Sequence, residues 1–148
     1  MATATTFYDI VDKIKEILLE DDNMNTVTYG DITKVATEKT TIYPLGHMVV
    51  NSAVVKNNIF TFSITVACMD IIDQSNIDKI DNEMDIFNTQ FAVISRLILK
   101  LRRSSMRNEG YQIVGEPSTE SFTHRFEDDV AGWDVTFDVN VVQDMSVC

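Results

Sequence analysis

Between Asp81 and Arg103 the chain reads DNEMDIFNTQFAVISRLILKLRR, and within it Met84, Phe87, Phe91, Ile94, Ile98 and Leu101 recur at spacings of three and four residues. Such spacing places them on one stripe of an α-helix about 35 Å long, and a stripe of that kind has to be covered by the rest of the chain. The expected core is therefore this helix against a sheet. Truncating Phe91 or Ile94 to alanine is expected to cost roughly 3 kcal/mol or more.

The length of 148 residues suits a single domain, residues 1–148, since a chain of that size buries roughly 70% of the surface it exposes when unfolded. A hydrophobic fraction of 45% with 24% charged residues is that of a globular chain. The formal net charge of -11 argues against sequence-reading DNA binding, which draws its affinity from clustered Lys and Arg. The start, MATATTFYDI, lacks a basic segment followed by an apolar one, so no secretory signal is expected, and no apolar run is long enough for a membrane span. Synthesis in a cytoplasm follows from that expectation. Cys68 in an apolar strand and Cys148 at the end of the chain make no disulfide framework.

Thr6 is positioned to cap a first helix, with Asp9 in its first turn and Phe7, Ile10, Val11, Ile14, Ile17 and Leu18 on one face. Glu20-Asp21-Asp22-Asn23 ends it in turn chemistry. VTYGD begins a short strand, and ITKVATEKTTIYPLG reads as an extended connection. HMVVNSAVV (His47 to Val55) and IFTFSITVACMDI (Ile59 to Ile71) are β-rich runs joined at Lys56-Asn57-Asn58, a hairpin pattern. In the second run Phe60, Phe62, Ile64, Val66 and Cys68 share the face expected to meet a helix, and Thr61, Ser63, Thr65 and Ala67 share the other. Ile77 and Ile80 extend the long helix's stripe backward, whereas Ser104-Ser105 and Asn108-Glu109-Gly110 read as a break and a loop. Tyr111 to Val114 and Ser121 to Phe126 read as separate short strands, divided at Pro117. Glu127-Asp128-Asp129 turns the chain into the clearest alternation: Trp133, Val135, Phe137, Val139 and Val141 against Asp134, Thr136, Asp138 and Asn140. The expected fold class is α+β, a mainly antiparallel sheet packed against one long central helix and an N-terminal helix.

No catalytic constellation emerges. The two histidines, His47 and His124, fall where strands are expected, no serine sits in a nucleophile-elbow context, and Cys68 belongs to a buried face. Phosphate-binding glycine motifs are missing. Asp70, Asp73, Asp78, Asp81, Glu83 and Asp85 form an acidic stretch, but their spacing departs from that of a calcium loop, and a helix start favours carboxylates for its dipole alone. No enzyme activity, cofactor or metal is expected. At the other end of the helix stand Arg96, Lys100, Arg102, Arg103 and Arg107. They match the dipole, and Arg96, Arg102, Arg103 and Arg107 also suit contact with an acidic surface on a neighbouring subunit. Head-to-tail complementarity of that kind closes into rings.

Several segments carry a resemblance: VTYGDI (Val27 to Ile32), TIYPLGHMVVNSA (Thr41 to Ala53), ACMDIID (Ala67 to Asp73), DNEMDIFNTQFAV (Asp81 to Val93) and FTHRFEDDVAGWDVTFDV (Phe122 to Val139). In their order, and in chain size, the protein resembles the phage tail-terminator and neck-ring (head–tail connector) proteins of the type found in phages of Bacteroidetes. The resemblance implies a tail-terminator-like fold and a structural virion protein. It implies a homo-oligomeric ring, sixfold or twelvefold, in the neck or tail beside the portal or connector and the tail tube proteins. DNA would pass through the lumen without specific binding, and no membrane would be involved. On this reading Asp134 and Asp138 line the lumen, where negative charge repels phosphate and lets DNA slide. Two other classes stay open: a monomeric assembly adaptor or chaperone binding through a strand edge, and a metal-dependent hydrolase using the acidic stretch.

Overall fold

The computed structural model describes residues 7–30, 43–56, 59–71, 79–106, 111–123 and 130–142. In chain order they form helix α1 (Phe7–Glu20), strands β1 (Thr26–Tyr29), β2 (Leu45–Val55) and β3 (Ile59–Ile71), helix α2 (Lys79–Met106), and strands β4 (Tyr111–Thr123) and β5 (Val130–Val142). The strands hydrogen-bond into one sheet in the order β1-β2-β3-β5-β4. The fold is α+β with a mixed sheet: β1 runs parallel to β2, and the other pairings are antiparallel.

Both helices share their core with one face of the sheet. From α1 come Ile10, Val11, Ile14, Ile17 and Leu18, the positions its spacing predicts, and they share one cluster with Val93, Ile94, Leu97 and Leu101 of α2, Met48 of β2, Ile64, Val66 and Cys68 of β3, and Val135 to Val141 of β5 at every second residue. Each buried Ile, Leu or Phe contributes about 1.5–3 kcal/mol relative to an exposed one. Where α1 ends, Asp21 Oδ1 accepts the Asn23 amide and Asp21 O accepts the Met24 amide, so the predicted acidic turn is made by its own side chain. The turn lays Met24 and Leu18 over Gly46 at 3.2 and 3.4 Å from where a Cβ would stand, close approaches that glycine permits. On the opposite face a smaller cluster, Leu45, Ala67, Met69, Phe122 and Val130, closes one end of the sheet.

The long helix is present but rotated from its expected setting. Ile86, Gln90, Val93, Ile94, Leu97 and Leu101 are buried, whereas Met84 is 60% and Phe91 43% exposed. At 100° per residue the buried side lies about 80° from the stripe predicted through Phe91. Both stripes have helical spacing and share Ile94 and Leu101, and Gln90 in the middle of the second one disguises it. Gln90 is fully buried with neither its amide nitrogen nor its oxygen hydrogen-bonded among the described residues. Phe87 and Phe91 instead embrace Trp133 of β5 edge-on, at centroid distances of 6.0 and 5.1 Å, and Trp133 Nε1–H donates to Phe87 O at 2.9 Å. The aromatic contact takes these residues to the flank of the helix–sheet interface.

Two predicted breaks are absorbed. α2 continues through Ser104 and Ser105 to Met106, since a serine in a helix costs only a fraction of about 1 kcal/mol. Tyr111–Val114 and the segment from Ser121 belong to one strand, with Gly115, Glu116 and Pro117 forming a bulge opposite Phe137. Gly115 has φ +72°, a left-handed conformation suited to glycine, and β4 is an edge strand, where the missing Pro117 N–H removes no ladder bond on the outer side. The connection 31–42, the turn residues Asn57 and Asn58, Thr6, Asp73, Ile77, Asp78, Arg107, the loop Asn108–Gly110, His124 to Asp129 and Cys148 lie outside the described residues.

Candidate functional site

Strict alternation along β3 and β5 puts every second residue on the sheet face turned away from the helices, and the antiparallel register sets them side by side: Thr61 beside Asn140, Ser63 beside Asp138, Thr65 beside Thr136. Their side chains form cross-strand bonds. Asn51 Nδ2 donates to Thr65 Oγ1 at 2.7 Å, Thr65 and Thr136 share a hydroxyl bond of 2.9 Å, and Thr61 Oγ1 donates to Asn140 Oδ1 at 2.6 Å. Asn51 reaches this face through a bulge, the register shift between Val50 and Ser52. The result is a ladder of hydroxyls and amides across three strands, flanked on β4 by Ser118 and Glu120. Among its described positions there is no lysine or arginine.

The two predicted lumen aspartates differ in exposure. Asp138 is exposed, whereas Asp134 is 8% exposed and stands opposite Glu120 in the β4–β5 register. Alternation assigns both to the same face, as expected, but burial at the end of the sheet that carries the smaller cluster separates them.

Of the predicted interface arginines, Arg96 is engaged within the chain. Its Nε donates to Asp21 Oδ2 at 2.6 Å and its second guanidinium nitrogen, Nη2, to Oδ1 at 2.9 Å, a bidentate clamp between the end of α1 and α2; Lys100 lies 3.6 Å from Glu20 beside it. Burial by itself would raise the Asp21 pKa, but the Arg96 hydrogen bond, the Asn23 amide and the charges of Arg96 and Lys100 outweigh it and hold the carboxyl below its ordinary range. A depressed folded-state value stabilises the fold above the unfolded pKa, and that contribution is lost as pH falls through the folded value. Arg96→Met is therefore expected to lower stability by about 1–2 kcal/mol at neutral pH. In urea titrations the difference between variant and parent should shrink below about pH 4; a difference independent of pH would remove the clamp from the account. Arg102 and Arg103 are exposed near the end of α2.

Of the described residues weighed for catalysis or metal binding, His47 and Asp70 have hydrogen-bond partners within the chain and Cys68 is buried. His47 is 1% exposed; its Nε2–H donates to Gly30 O at 3.0 Å, and Nδ1 lies 2.7 Å from Thr28 Oγ1, so the ring fastens β1 to β2. Cys68 is fully buried, and burial, helped by the charge of Asp21, pushes its thiol pKa far above the ordinary range. Asp70 Oδ1 accepts the Ile71 amide at 2.8 Å. Among the described residues no group of three or more His, Cys, Asp or Glu side chains is placed to hold a metal ion, and no helix is long and apolar enough to cross a membrane.

A feature that pattern reading missed is a groove of about 380 Å³ between α2 and β4, with Phe91, Leu99 and Arg102 on the helix side, Pro117 and Thr119 on the strand side and Ile94 and Val135 at its base. The signal for it was present in the surplus of apolar residues on α2, more than one face can bury, but only the helix rotation shows which of them are left over. Compared with protein-family models and with curated proteins, the chain matches none.

Proposed function

We propose that this chain is a structural subunit of a phage neck or tail ring, a tail terminator or head–tail connector. The observation that carries the reading is the sheet face turned away from the helices, with a polar ladder across three strands, acidic at Asp138 and Glu120, and without a lysine or arginine among its described strand positions. Such a face suits the wall of a lumen, because it hydrates well and offers phosphate no attractive charge. The resemblance in segment order and size supports the same reading, and a two-layer domain with its helices on one side leaves the end of this face around Asp138, away from the buried cluster, to line a ring of sixfold or twelvefold order. Arg102 and Arg103, exposed near the end of α2, are the arginines this reading assigns to the contact with a neighbouring copy. The finished protein then resides in the virion, between portal or connector and tail tube.

Mass spectrometry of purified particles, with imaging of the neck, tests the reading: the chain should be present in ring stoichiometry, and Asp138→Asn should slow DNA ejection. A mature particle without the chain sinks it. The adaptor reading has one specific observation in its favour. Beyond Met48 the outer edge of β2, Val49 to Val55, has no strand neighbour among the described residues and carries no charge, which suits pairing with an added strand. An adaptor would bind assembly partners and be missing from mature particles.

A further inference from the structure

The rotation of α2 leaves a second apolar stripe outside the core. Met84, Phe91 and Leu99 are 60%, 43% and 49% exposed and follow one side of the helix; Phe91, Ser95, Leu99 and Arg102 line the groove beside β4, and Asn88 and Met84 continue the same side beyond it. Phe91 packs edge-on against Trp133 and still exposes nearly half of its surface. Aromatic, Met and Arg side chains on one continuous strip are the composition of an interface rather than of a solvated helix face.

We infer that two copies of this chain pair through α2, antiparallel across a two-fold axis near the helix midpoint. Charge decides both the partner and the direction. Asp85 lies in the second turn of α2, and Arg102 and Arg103 lie in its later turns. Parallel pairing sets like charges together at both ends, whereas antiparallel pairing sets Met84 and Asp85 of each copy against Leu99, Arg102 and Arg103 of the other and opposes the two helix dipoles. An isologous contact makes each of these interactions twice. Near the axis the small Ser95 of one copy leaves room for the Phe91 ring of the other, and Met84 enters the groove between Leu99 and Pro117. The strip is also where a chain of net charge -11 presents matched charges of both signs to a second copy. A single helix face gives a dimer of micromolar rather than nanomolar affinity.

This pairing does not rest on the virion reading. It occupies the surface around Arg102 and Arg103, so a ring contact through the same arginines excludes it, and the dimer is the form of the free chain before assembly. Sedimentation equilibrium of the purified full chain is expected to show a reversible monomer–dimer transition. Asp85→Lys, and separately Arg102→Glu with Arg103→Glu, should each weaken dimerisation by about tenfold or more. The triple variant that exchanges all three charges should recover most of the loss, and Phe91→Ser should leave a monomer with a cooperative unfolding transition. A wild-type chain that stays monomeric at high concentration overturns the pairing and leaves the ring to the particle experiment. Ring-sized species in place of dimers overturn it in favour of the ring contact, and a triple variant that stays dissociated overturns the charge assignment on which the two-fold geometry depends.

Discussion

Gly132→Ala is expected to destroy cooperative folding. Gly132 lies in β5 opposite Met69, in the central pairing of the sheet, and a Cβ there would collide with Cys68 O and stand 2.8 Å from Met69 Cα and 2.9 Å from the Cys68 carbonyl carbon. All three atoms belong to the backbone of β3. No rotamer change relieves the contact, so the strands would have to separate where β3 and β5 are paired from Ile71–Val130 to Ile59–Val142. The expected penalty exceeds about 4 kcal/mol, a large part of the stability of a small domain. Gly46→Ala is the matched control. Its nearest neighbours are the flexible ends of Met24 and Leu18, which can shift, so a loss under about 1.5 kcal/mol is expected. Urea unfolding followed by circular dichroism checks the pair, and a Gly132→Ala protein with the parental midpoint would refute the close approach of the strands.

Leu97→Ala should cost about 3–4 kcal/mol and Phe91→Ala only about 1–2 kcal/mol, although phenylalanine is the larger side chain. Leu97 is 1% exposed in the core between α2 and the sheet, and its removal leaves a cavity enclosed by both layers. Phe91 is 43% exposed and loses chiefly one edge-on contact with Trp133, while water fills the space it vacates. The order of the two effects is the reverse of what helical spacing alone predicts. The comparison belongs at low protein concentration, since dimerisation through α2 buries Phe91 and adds a concentration-dependent contribution. Equal losses for the two variants would place Phe91 back in the core and undo the rotation of the helix.

The paired expectations for α2 mark the boundary between pattern and packing. Alternation along β3 and β5 is strict because a strand has two faces and only one of them can meet the helices. Sequence therefore assigned Phe62, Ile64, Val66 and Cys68, and Trp133 to Val141 at every second residue, to the correct side, together with the polar face opposite them. The face of α1 was equally legible, because its charged residues leave a single apolar side. In α2 apolar residues occupy more than one side, and two stripes of equal period compete; which one is buried depends on Trp133 and on the fit of Val93 and Leu97 to the sheet, contacts that no local pattern encodes. β4 shows the converse case, where Gly115 and Pro117 read locally as an interruption and the sheet accepts them as a bulge because the strand lies at its edge.

By itself, then, the sequence determined the α+β class, the hairpin, the first helix and the two faces of the central strands, since each follows from a local period set by backbone geometry. Only the tertiary structure decided that Arg96 is consumed by Asp21, 75 residues away in the chain, that Asp134 is buried while Asp138 is exposed, and that the surplus stripe of α2 faces outward. These depend on which segments meet in space, and distance along a chain carries no record of that.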